Sequence, residues 1–117
     1  MEITVTMKRS FKERERERES EDVTHRLSVI RKYVVGDNQA EFARRLGITP
    51  SRWNNLERGW PLSMQVALML VNTVDGLTMS YITHGLTGDM PKPLARQLSL
   101  LKSEMFPPSL GKRPPSK

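Results

Sequence analysis

The chain has no cysteine, which excludes disulfides and thiol chemistry and is compatible with a reducing cytoplasm. It also has no long hydrophobic run. The longest, Val66 to Val71, is six residues, far short of the roughly 20 that a membrane-spanning helix needs. Met1 to Met7 holds no apolar stretch of the kind that a secretory leader uses, so none is expected. The only histidines, His25 and His84, have no ligand-spaced partner, and no zinc site is expected. No Ser/His/Asp set has supporting context and the glycines form no phosphate loop, so neither catalysis nor a cofactor is expected. At 117 residues there is room for one domain.

The charge is present but unevenly placed. The net +6 divides into +1 over residues 1–20, 0 over 21–90 and +5 over 91–117. The basic excess therefore lies in the C-terminal segment, and the overall charge is no argument for an anion-binding core. The local balance is more useful: residues 39–59 carry Arg44, Arg45, Arg52 and Arg58 against Glu41 and Glu57, a net +2.

Met1 to Met7 alternates Ile3, Val5 and Met7, a hint of an extended segment with no nameable partner. Residues 1–20 as a whole read as a charged arm. From Glu13 to Glu19 they alternate Glu and Arg, which on a helix sets opposite charges at i, i+3 but like charges at i, i+4. A solvated arm or frayed helix fits this, and so does an arm that enters a DNA minor groove. Residues 21–85 read as a helical domain. Ser20 can start its first helix, Val23, Leu27, Ile30 and Val34 form an apolar face, and Gly36 stops it. Ser63 caps a fourth helix with Val66, Ala67, Leu70, Val71 and Val74 inward. Thr78 starts a fifth, with Met79 and Ile82 inward, that ends at Gly85. Met64, Met69 and Met79 read as gap-filling core residues. Residues 86–106 hold a Gly/Pro linker and then a short amphipathic helix with Leu94, Leu98 and Leu101 in a stripe. Residues 107–117 form a basic, Pro-rich tail of disordered composition.

The densest signal runs from Asn38 to Gly59. Asn38 can cap a helix, and Glu41 three residues on can reach back to it. Phe42, Ala43 and Leu46 make a narrow apolar stripe, and Gly47 ends the helix where a positive φ suits glycine. Ile48 is a buried turn residue. Thr49 can cap the next helix, with Pro50 at its first position, where no amide hydrogen is needed. At about 100° per residue, Trp53 and Leu56 lie about 60° apart and define its inner side. Opposite them stand Ser51, Asn54, Asn55 and Arg58. Amides read adenine, guanidinium reads guanine or grips phosphate, and hydroxyls do either. Two adjacent Asn residues are poor helix formers, which a merely solvated face would avoid. Trp53 belongs to the core; Trp60, just past this helix, either closes the core or lies near the nucleic-acid backbone.

This segment resembles the lambda-repressor/Cro (XRE-type) helix-turn-helix family, on Gln39, Ala43, Leu46-Gly47 and Glu57-Arg58-Gly59, over about residues 23–85. The resemblance implies an all-α fold: a five-helix domain with a helix-turn-helix, plus the appended C-terminal helix. It implies a cytoplasmic, sequence-specific regulator of transcription that binds double-stranded DNA with the helix 50–58 in the major groove. Ser51, Arg52, Asn54, Asn55 and Arg58 are then the base or groove contacts. Asn38, Gln39, Arg44 and Thr49 are the phosphate contacts. Pro50 departs from the family pattern, since it cannot hydrogen-bond a base, and the loop from Trp60 to Leu62 is shorter than usual. Glu57 is placed to pair with Lys32 or Arg31, and the resemblance favours a structural ion pair with Lys32. A homodimer is expected, formed through Tyr81 and its surroundings or through the Leu94/Leu98/Leu101 stripe, unless that stripe folds back to close its own core. An antitoxin that also binds a toxin, and an adaptor that binds only protein, are the rival functions.

Overall fold

The computed structural model describes residues 22–107. These are all helix and connection, with no strand among them. The helices are α1 (22–35), α2 (Gln39–Leu46), α3 (Pro50–Glu57), α4 (Met64–Thr73), α5 (Met79–His84) and α6 (Lys92–Met105). The arm of residues 1–20, with its Ser20 cap, and the tail beyond Pro107 lie outside the described residues.

Four of the starts are made by the expected side chains. Asn38, Thr49, Ser63 and Thr78 each accept a hydrogen bond from the amide three residues on, at Glu41, Arg52, Val66 and Tyr81. Each bond satisfies one of the amides that a first helical turn leaves without a partner. The stop after α2 is equally local: Gly47 sits at φ 88°, and its N–H donates to the Ala43 and Arg44 carbonyls. Ile48 follows, half-buried rather than buried, and its N–H returns to the Ala43 carbonyl. The chain therefore turns between α2 and α3 within three residues.

One core holds the helices together. Leu27, Val29, Ile30, Phe42, Ala43, Trp53 and Leu70 have no exposed surface, or next to none, and Val74, Leu77, Tyr81 and Ile82 extend the same cluster. α2 packs on α3 and α4, and α4 on α5. In α1 the buried strip is wider than the Val23, Leu27, Ile30, Val34 face: residues 26 to 31 are all buried, while Val23 and Val34 are only partly covered. Arg26 can enter because it has carbonyls to bind. Its Nε donates to the Ile82 carbonyl at 3.0 Å and a terminal nitrogen to Thr83 at 3.1 Å. The cation thus satisfies acceptors at the end of α5, where the helix dipole is negative. Burial lowers its pKa, an effect opposed by Asp22. Gly85 ends α5 at φ 74°, and a Cβ there would meet the Arg26 guanidinium at 3.2 Å.

The C-terminal helix resolves the alternative left open for its leucines. Leu94 and Leu98 are 6% and 1% exposed and belong to the common core, together with Met90 from the segment read as linker. Leu94 Cδ2 lies against Gly76, and Phe106 stacks on His25 of α1, with ring centroids 3.8 Å apart. α6 is also 14 residues long rather than short. The stripe is thus unavailable as a dimer surface, and so is Tyr81, at 5% exposure. The leucines are buried because they complete a core that α1 to α5 leave open, and Tyr81 because it lies on the inner side of α5. Two expectations about methionine also fail: Met64 is 67% exposed on the outer face of α4, and Met79 is only half-buried.

Because α6 fills the core, Leu98→Ala is expected to lower the unfolding free energy by about 2–4 kcal/mol, read from urea denaturation. Leu94→Lys/Leu98→Lys is expected to unfold the chain rather than to dissociate an oligomer, which light scattering and circular dichroism distinguish.

Candidate nucleic-acid interface

α3 is held from behind. Trp53 is fully buried and meets Phe42 of α2 edge to face, with centroids 4.8 Å apart and planes at 71°. Beside it lies Glu57, whose side chain is 7% exposed. The carboxylate accepts from Arg31 Nε at 2.8 Å and from a terminal Arg31 nitrogen at 3.0 Å, and from Ser28 Oγ at 2.8 Å. The Trp53 indole N–H also donates to it. Arg31 uses its remaining terminal nitrogen on the Gly36 carbonyl at 2.6 Å. Burial pushes the Glu57 pKa up, but the bonds from Arg31, Ser28 and Trp53 outweigh it and hold the carboxyl below its ordinary range. The bond to Glu57 outweighs burial at Arg31 too, and raises its pKa.

This corrects the expected Lys32–Glu57 pair. Lys32 instead pairs with Asp37 at 2.7 Å on the surface. Position 31 points inward and position 32 lies about 100° further round the helix. Only the planar guanidinium fork supplies two parallel bonds to a carboxylate and a third to a backbone carbonyl.

With its inner side so fixed, α3 presents Ser51, Arg52 and Arg58 to solvent and leaves Asn54 and Asn55 half-buried on the same outer side. Thr49 and Asn38 are exposed and Gln39 half-buried; the Thr49 hydroxyl and Asn38 amide oxygen are engaged as caps. Among the described residues Arg52 and Arg58 have no ion-pair partner. Arg44 is different. Glu41 does not reach back to Asn38 through its side chain; its carboxylate binds Arg44 at 2.6 Å and Arg45 at 2.9 Å. Two cations four and three residues downstream outcompete one amide as partners for an exposed carboxylate. The Glu41 pKa is lowered accordingly, first by Arg44 and then by Arg45. The cation predicted to grip phosphate is thus already shared, whereas Arg52 on α3 and Arg58 at its C-cap are in no ion pair among the described residues.

Beside this face lies a groove of about 480 Å³, lined by Ser51, Arg52 and Asn55 together with Leu56, Trp60 and Pro61. No carboxylate lines it. Trp60 is 63% exposed, so it does not close the core. Its placement was not legible in the sequence, because the backbone bond that sets it, Trp60 N–H to the Asn55 carbonyl at 3.0 Å, depends on how α3 ends.

No three His, Asp or Glu residues among the described ones form a metal-holding group. No described helix is long and apolar enough to cross a membrane. No family model, curated protein or solved structure matches the chain. Function is therefore read from this face of the molecule.

Since Glu57 has a depressed pKa in the folded chain, its contribution is fully present above its unfolded value and is lost as pH falls through the folded one. Glu57→Gln is expected to cost about 3 kcal/mol at neutral pH, by leaving the buried Arg31 with only the exposed Asp37, 3.8 Å away, as counter-charge. It is also expected to flatten the acid limb of stability below about pH 5. Thermal unfolding of both chains across that range reads both effects.

Proposed function

We propose that this chain is a sequence-specific duplex-DNA-binding regulator of the lambda-repressor/Cro helix-turn-helix type. In this reading it is a cytoplasmic binding protein rather than an enzyme. α2 and α3 form the helix-turn-helix, and α3 enters the major groove. The observation that carries the reading is the two-sidedness of α3. Its inner side is locked by Trp53, Leu56 and Glu57, while Ser51, Asn54, Asn55 and Arg58 stand opposite and the exposed Arg52 flanks them, with neither arginine in an ion pair among the described residues. A base-reading helix needs this: side chains of fixed origin, able to hydrogen-bond base edges, on an element that does not rotate.

Division of labour follows from residue type and place. Asn55 and Asn54 can make bidentate contacts to adenine, Arg58 and Arg52 reach guanine or phosphate, and Ser51 donates or accepts. Gln39 and Asn38, at the start of α2, and Thr49, at the start of α3, set the register on phosphates. A homodimer on two half-sites about one helical turn apart suits so short a reading helix, with its contact outside the buried Tyr81, Leu94 and Leu98.

Selection from a random duplex library tests the reading directly: a shared motif is expected, and failure to enrich any sequence would overturn it. On the selected site, Asn55→Ala is expected to cost about 1–3 kcal/mol and to relax preference at one base position per half-site. Arg58→Gln is expected to flatten the dependence of log K on log salt by about one unit. Arg44→Gln should flatten it by less, because Glu41 already compensates that charge. Titrations at several salt concentrations compare the two.

A further inference from the structure

Trp60 has no role in the fold that its position explains. A tryptophan 63% exposed leaves most of its apolar surface in water, yet its backbone is tied to α3 through Asn55 and followed by Pro61. Its indole shares the groove with Ser51, Arg52 and Asn55, so it flanks the face assigned to base reading. The major groove carries one apolar feature on its base edges, the C5-methyl group of thymine. Hydrogen-bonding side chains read the remaining edge atoms, and an aromatic plane can cover the methyl at low entropic cost.

We infer that Trp60 is a specificity-determining residue that covers a thymine methyl beside the base contacted by Asn55. The inference rests on the reading of α3 as the groove-binding helix. Charge agrees with it: the groove has Arg52 as its charged lining residue, and the nearest carboxylate on α3, Glu57, is turned inward onto Arg31. Shape agrees as well, since Leu56 and Pro61 continue the apolar wall that Trp60 begins. One face of the groove then reads a methyl while the other reads hydrogen-bonding edges, and an A·T pair next to the Asn55 contact is the expected consequence.

Replacing thymine by uracil removes the methyl and nothing else, which gives a direct test. The library-selected duplex is made with each thymine replaced in turn and titrated against the full chain, Trp60→Ala and Trp60→Phe. For the parent, one position in each half-site is expected to lose affinity by about fourfold on replacement, the worth of one buried methyl group. Trp60→Ala is expected to bind the thymine and uracil duplexes alike at that position, and Trp60→Phe to keep part of the difference. Far-UV circular dichroism and thermal unfolding report that the variants are folded. If the parent binds the duplex with Asn55-dependent readout but is indifferent to every replacement, the inference fails while the DNA-binding reading stands. If Trp60→Ala keeps the parent's discrimination, the inference also fails, and the indole is left for a protein partner. If no duplex is enriched at all, both fail together.

Discussion

The buried carboxylate of Glu57 is the constraint on which the candidate interface depends. It takes bonds from Arg31 and Ser28 of α1 and from Trp53 of its own helix, so one group ties α3 to α1. A buried ion pair is not in itself a strong source of stability, because desolvation offsets much of the attraction. What it supplies here is angular definition. A helix of eight residues with only Trp53 and Leu56 in the core could roll by some tens of degrees and still bury them. A carboxylate with four donors around it tolerates no such roll. The outer side chains inherit that precision, and a helix that reads bases requires it.

The second constraint lies at the opposite side of α1. Arg26 is buried against the carbonyls that end α5, and α6 covers the remaining apolar surface with Leu94 and Leu98. α1 therefore uses two arginines five residues apart for different purposes: one stitches α5, the other orients α3. The stacking of His25 on Phe106 fastens the far end of α6 to the same helix. These contacts make α6 part of the fold, although a Gly- and Pro-bearing segment precedes it.

Electrostatics at the interface is a matter of which cations are free, not of how many there are. The net charge over residues 21–90 is zero, and Glu41 holds both arginines at the end of α2. Arg52 and Arg58 remain. If the chain binds duplex DNA as proposed, such an arrangement would give modest attraction for any phosphate backbone and leave discrimination to hydrogen-bond geometry and to one methyl contact.

Much of this was legible in the sequence, and for a uniform reason. The caps at Asn38, Thr49, Ser63 and Thr78, the glycine turn at Gly47 and the inward placing of Trp53 and Leu56 depend on residues within one turn of each other. Local stereochemistry decides those, so the sequence by itself determined the helices, their order and the polar composition of the outer face of α3. Partners distant in the chain were another matter. Whether Arg31 or Lys32 meets Glu57, 26 and 25 residues away, turns on the rotation of α1 against α3, which no periodicity encodes. The burial of Arg26 needed carbonyls 56 and 57 residues downstream, and the leucine stripe of α6 had an apolar face whichever surface covered it. Only the tertiary structure decided these, because an amphipathic helix specifies that one side must be covered but not by what.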